Sequence, residues 1–169
     1  SYGDLANLIV HELVHATVFV KDSVDFNENL ASFIGDRGAE IFLNKYYPDT
    51  HLIDYQNELS DEQLFIDHVL RGADRLDSLY QSFADDPVDR KTTMKKELIG
   101  DIVNTMDTLS LSDKLFLSRI QGRELNNTYF MSFLRYRSKQ MSLDGLFKYR
   151  FNEDLTEFIQ YMKEQHPFL

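Results

Sequence analysis

Two histidines and a glutamate near the start of the chain have the types and spacing of a metal-hydrolase site. They stand in the run His11-Glu12-Leu13-Val14-His15, in which the histidines are four residues apart. Residues i and i+4 share one face of an α-helix, so both imidazoles can bind one metal ion. Glu12 can then take a proton from water at the metal and pass it to a leaving amine. The pattern predicts a zinc site for peptide hydrolysis.

A third ligand is expected on a neighbouring element, because catalytic zinc usually takes three protein ligands. Glu28 is the leading candidate, since it opens the next predicted helix after a turn that can fold the two helices together. A carboxylate is also favoured in the first turn of a helix by the helix dipole alone. Asp25 and Asp36 are the alternatives, and Asp36 could instead orient a ligand imidazole. Thiolate ligands are excluded because the chain has no cysteine.

The rest of the sequence predicts helices that position these residues. Apolar residues recur at helical spacing over residues 4–16, where Leu8, Ile9 and Leu13 form a predicted core stripe and Asp4 caps the N-terminus. Further helices are predicted at about residues 26–46, 61–84, 89–108, 113–121, 124–138, 143–150 and 154–164. Residues 17–20 are β-branched and aromatic and could form a strand. The predicted fold class is mainly α, with at most one short strand.

The bulk properties indicate one soluble domain over residues 1–169. A net charge of −10 argues against a nucleic-acid partner, which would need clustered Lys and Arg. No apolar run is long enough to span a membrane. Ser1 lies only ten residues before His11, too few for the scaffold that usually precedes such a helix, which predicts a C-terminal fragment of a longer protein. Localisation in the cytoplasm or outside it and the oligomeric state stay open.

With this motif and the Asn27-Glu28 pair, the sequence resembles the gluzincins, peptidases whose zinc is bound by two histidines and a glutamate. It is more similar to a bacterial family of predicted aminopeptidases. The matching positions are residues 5–15, 20–22, 26–33, 38, 125–129 and 136. The resemblance implies a helical zincin-like catalytic domain that lacks its N-terminal scaffold. It also implies His11, His15 and Glu28 as zinc ligands and Glu12 as the general base.

Hydrolysis through a tetrahedral intermediate also needs a donor to the developing oxyanion. Tyr136, which lies between two arginines, is the preferred candidate, and Tyr129 is the second. Packing in the core is the alternative role for Tyr129. Asn126 and Asn127 either hold the substrate backbone or cap the helix that carries the tyrosines.

The predicted function is that of an aminopeptidase-like zinc peptidase, with Zn²⁺ as cofactor and a peptide as substrate. An aminopeptidase also needs a carboxylate that captures the free amine of the substrate, and the sequence does not identify it; Asp25 and Asp36 are the two possibilities. The alternatives are an endopeptidase, a non-catalytic zinc-binding module and a plain helical interaction domain. Metal content separates the helical interaction domain from the others, and hydrolysis of peptide amides separates a peptidase from the zinc-binding module.

Overall fold

The computed structural model describes residues 1–83, 87–119 and 126–166. These residues contain helices and no strand, so the mainly α fold class is confirmed and residues 17–20 form a turn and irregular backbone. The α-helices are α1 (Tyr2–His15), α2 (Val24–Tyr46), α3 (Asp49–Gln81), α4 (Val88–Asn104), α5 (Asn127–Phe151) and α6 (Leu155–Gln165). Two 3-10 helices, Thr105–Thr108 and Leu117–Arg119, lie between α4 and α5. Within the described residues, no helix combines the length and apolarity needed to cross a membrane.

Two predicted helix starts were wrong because the polar residues that predicted them have other roles in the structure. Ser1, rather than Asp4, is the N-cap of α1, and Asp4 completes the capping box. The prediction that a helix starts after Ser60 was also wrong, since α3 begins at Asp49. Asp61 is buried inside α3, and its carboxylate accepts hydrogen bonds from the backbone N–H groups of Ser112 and Asp113 at 2.8 and 2.7 Å. Its polar character therefore stabilises a distant loop.

Two further differences concern the C-terminal half. The segment predicted as a helix at residues 113–121 contains turns and the short Leu117–Arg119 helix in its described part. The helices predicted at 124–138 and 143–150 are one continuous helix, α5, since residues 139–142 carry no helix-breaking Gly or Pro. The predicted end of α2 is confirmed, because α2 stops at Tyr46 and the extended Tyr47 precedes Pro48.

The chain divides into two compact units, residues 1–56 with 136–169, and residues 57–135. In the first unit, the rings of Phe33, Phe147 and Phe158 meet at centroid distances of 5.4 to 5.6 Å within an apolar core. The second unit has its own core, formed by Phe65, Val69, Ala73, Leu76, Ile102, Met106 and Phe130. The assignment of residues 1–169 to a single domain stays a prediction.

Helix α1 packs on α2 through small residues. A Cβ atom added to Gly35 would lie 2.8 Å from Asn7 Oδ1, and one added to Gly38 would lie 2.8 Å from Val10 Cγ1. The buried residues of α1 are Gly3, Ala6 and Val14. Only glycine at these two positions of α2 leaves room for the side chains of α1.

The predicted core stripe of α1 was wrong. Leu8, Ile9 and Leu13 are each more than half exposed. They lie outside the face that α2 covers, where Asn7 and Val10 of α1 meet Gly35 and Gly38 of α2. Apolar periodicity identifies a helix, but close approach of two backbones selects the face with the smallest side chains.

Candidate metal centre

The structure brings together the three side chains that the sequence proposed as metal ligands. His11 and His15 lie on successive turns of α1, and their Nε2 atoms are 3.1 Å apart. Glu28, in the first turns of α2, places Oε2 3.4 Å from His11 Nε2 and Oε1 3.4 Å from His15 Nε2. Two imidazole nitrogens and a carboxylate therefore face one point.

These distances fit a zinc ion. Zinc binds His nitrogen and carboxylate oxygen at about 2.0 to 2.2 Å, which puts neighbouring ligand atoms of a tetrahedron about 3.3 to 3.6 Å apart. The Nε2–Nε2 separation of 3.1 Å and the distance of 3.4 Å from each Nε2 to a different Glu28 oxygen are close to that range. One ligand atom from each of the three side chains lies within 4.8 Å of the other two. The side chains of His11 and His15 are 19% and 25% exposed, and that of Glu28 is 56% exposed. The three candidate ligands thus lie at a surface that leaves a fourth position open to water or substrate.

Glu12 is exposed beside this group. It follows His11 directly and is therefore turned by about 100° around the helix axis, away from the face that packs on α2. A carboxylate that is next to a ligand but directed toward solvent can reach water at the open position without itself binding the metal.

Asn27 holds the loop that joins the two ligand-bearing helices. Its side chain is buried, its Oδ1 accepts a hydrogen bond from the Val20 N–H, and its Nδ2 donates to the Val20 carbonyl, both at 2.9 Å. This role of Asn27 was not predicted from the sequence. The available signal was an amide directly before the proposed ligand Glu28, at the start of a helix where a polar residue has no obvious partner.

Replacing Asn27 by Leu is expected to lower the free energy of unfolding of the metal-free protein by about 2 kcal/mol, because both Val20 backbone groups lose their partner. Urea denaturation in the presence of a chelator measures this. Asn44→Leu is the matched control, since Asn44 lies exposed on the same helix. Its expected change is below about 0.5 kcal/mol. Equal stability of the two variants would show that the Asn27 side chain does not stabilise this loop.

The two alternative carboxylates have other partners. Asp25 is exposed, and its Oδ2 lies 3.4 Å from Lys139 Nζ. Asp36 Oδ1 accepts hydrogen bonds from Asn7 Nδ2 at 2.6 Å and from the Tyr55 hydroxyl at 3.3 Å. Burial raises the pKa of the Asp36 carboxyl, although the bond from Asn7 opposes that rise. Asp36 therefore bonds to Asn7 and Tyr55 rather than to a ligand imidazole.

The remaining predicted site residues belong mainly to the start of α5. The side chains of Tyr136 and Asn127 lie outside the described residues. Asn126 Oδ1 accepts a hydrogen bond from the Tyr129 N–H at 3.1 Å and so caps α5. The Tyr129 ring packs against Phe133 with centroids 5.0 Å apart, in the core of the second unit. The catalytic and substrate-binding roles of these four residues stay predictions.

A family described as "Putative aminopeptidase" matches residues 1–167. The chain belongs to this family. The resemblance to predicted aminopeptidases is thereby confirmed, and membership in the family supports a peptidase activity and a peptide substrate. No curated protein and no solved structure matches the chain.

Proposed function

We propose that this family member is a zinc-dependent peptide hydrolase of the aminopeptidase type. His11, His15 and Glu28 would hold the zinc ion, and Glu12 would be the general base. The observation that carries the proposal is the convergence of two imidazole Nε2 atoms and a carboxylate within 3.4 Å, beside an exposed glutamate. The aminopeptidase family supports the reaction class.

The chemistry divides between the metal and the side chains. Bound zinc supplies a Lewis acid that polarises the peptide carbonyl and lowers the pKa of water at the open position. The Glu12 carboxylate would accept a proton from the attacking water as the oxygen of that water bonds to the carbonyl carbon. Glu12 then donates the proton to the nitrogen as the C–N bond breaks, which releases an amine and a carboxylic acid that loses its remaining proton to solvent. Tyr136 is the proposed hydrogen-bond donor to the oxyanion.

Family membership is the support for the proposed preference for substrates with a free amine. Both carboxylates considered for capturing that amine have other partners in the structure. Asp25 lies near Lys139, and Asp36 bonds to Asn7 and Tyr55. The substrate class is therefore proposed as peptides with a free N-terminus, and an endopeptidase becomes one outcome of the experiment.

The experiment compares the metal-free chain with the chain reconstituted with one equivalent of Zn²⁺. Each is assayed on a set of peptides, with the N-terminus free or acetylated. We expect binding of one zinc ion per chain, hydrolysis by the zinc form alone, and loss of hydrolysis when the amine is acetylated. Hydrolysis of acetylated peptides would show an endopeptidase. Zinc binding without hydrolysis of any peptide in the set would contradict the enzymatic assignment.

A further inference from the structure

A second polar cluster joins the same two helices, deeper in their interface. Asn7 Nδ2 donates hydrogen bonds to Asp36 Oδ1 at 2.6 Å and to the Tyr55 hydroxyl at 2.7 Å, and that hydroxyl donates to Asp36 Oδ1 at 3.3 Å. Burial raises the pKa of Tyr55, so its hydroxyl keeps the proton that it donates. Tyr55 is 2% exposed, and the Cβ-free Gly35 makes room for Asn7 Oδ1. The three side chains thus form a closed set of directional contacts among α1, α2 and α3.

The position of Asn7 links this cluster to the metal centre. Asn7 precedes His11 by four residues and His15 by eight, so the three side chains follow one side of α1. At 1.5 Å per residue, Asn7 lies about 6 Å along the axis from His11. A displacement of α1 along α2 at the cluster is therefore a displacement of both imidazoles relative to Glu28.

The metal centre tolerates little displacement of this kind. Metal–ligand distances must be met within about 0.2 Å, whereas a helix that slips by one residue moves about 1.5 Å. The neighbouring contact between α1 and α2, that of Val10 with Gly38, is apolar. Apolar contacts are non-directional and do not fix an axial position well, whereas hydrogen bonds lose strength quickly when their angle changes.

From this arrangement we infer that Asn7, Asp36 and Tyr55 are positioning residues that set the register of α1 on α2, and so the affinity of the His11–His15–Glu28 centre for zinc. The inference rests on the proposed zinc site and adds a function for three residues that do not contact the metal. Outer residues that orient metal ligands typically contribute 10- to 100-fold to metal affinity.

The test exchanges the donor and the acceptor between two of these positions. In Asn7→Asp, two carboxylates face each other and the donor is lost, so we expect the zinc dissociation constant to rise about 10- to 100-fold. Adding Asp36→Asn restores an amide opposite a carboxylate with the same volumes. The double variant is therefore expected to return to within about threefold of the unchanged chain. The measurements are zinc competition with a chromophoric chelator and the visible absorption spectrum of the Co²⁺ form, on the full chain.

A control separates positioning from general stability. Phe158→Leu creates space in the aromatic core of the first unit, which includes none of the three cluster residues, and is expected to lower the urea midpoint while changing the zinc dissociation constant less than about twofold. Tyr55→Phe removes a single hydroxyl and provides a second variant if Asn7→Asp does not fold. Its expected rise in the zinc dissociation constant is about 3- to 10-fold.

Several outcomes would overturn the inference while leaving the zinc site intact. These are unchanged zinc affinity in the folded Asn7→Asp or Tyr55→Phe variant, no recovery in the exchanged pair, and an equal loss of affinity in Phe158→Leu. Failure of the unchanged chain to bind zinc would instead contradict the proposed function itself. The Co²⁺ spectrum adds a readout that a purely structural role would not move, because it reports ligand geometry in the folded fraction.

Discussion

Glu12→Gln is expected to lower kcat for peptide hydrolysis by about 10²- to 10⁴-fold, the usual contribution of a general acid–base group. The amide keeps the size of the side chain but cannot accept the proton of the attacking water. Zinc content is expected to stay at one ion per chain, because Glu12 faces solvent and the ligands are on the side that packs on α2. The measurements are steady-state kinetics and elemental analysis on the same preparation.

Glu157→Gln is the matched control for the loss of charge. Glu157 is exposed in the first turn of α6, within the same compact unit but on a different helix. Its kcat is expected to stay within about twofold, because surface substitutions outside such sites have small effects. Hydrolysis by Glu12→Gln at the rate of the control would exclude Glu12 as the general base. Loss of zinc from Glu12→Gln would show that Glu12 binds the metal instead.

The parts of the site that are local in sequence could be predicted. His11, Glu12 and His15 belong to one helix, whose period alone determines that the two imidazoles share a face. Glu28 follows after a short turn, and a short connection restricts where the second helix can lie relative to the first. The structure adds the interatomic distances of 3.1 to 3.4 Å, which depend on the packing of α1 on α2.

The parts that depend on distant pairing could not be predicted. Asn7 meets Asp36 across 29 residues and Tyr55 across 48, and no spacing rule connects residues at such separations. Helical periodicity predicted the fold class, but it did not predict which face of α1 packs on α2. Leu8 was predicted to be buried because it is apolar, whereas it is 56% exposed. Backbone approach at Gly35 and Gly38 decided which face packs, and glycine contributes nothing to an apolar pattern.

Glu28→Ala is expected to reduce zinc affinity by more than about 100-fold, beyond the 10- to 100-fold typical of outer residues, because it removes one of three direct ligands. The fold should persist. Glu28 is 56% exposed and its carboxylate lies beside His11 and His15 at the surface, so the free energy of unfolding without metal should change by less than about 0.5 kcal/mol. Isothermal titration with Zn²⁺ and urea denaturation with a chelator measure the two quantities separately.

Asp25→Ala removes the same charge three residues earlier on α2, and its zinc dissociation constant should change less than about threefold, since the remaining effect is a screened surface charge. Glu28→His tests whether a different ligand at this position restores zinc affinity. Three histidines are an accepted ligand set for catalytic zinc, so this variant should recover part of the affinity that Glu28→Ala loses. Full zinc occupancy in Glu28→Ala would exclude Glu28 as a ligand. Equal losses in Asp25→Ala and Glu28→Ala would mean that the carboxylate acts through charge alone, and the third ligand would then have to be sought elsewhere.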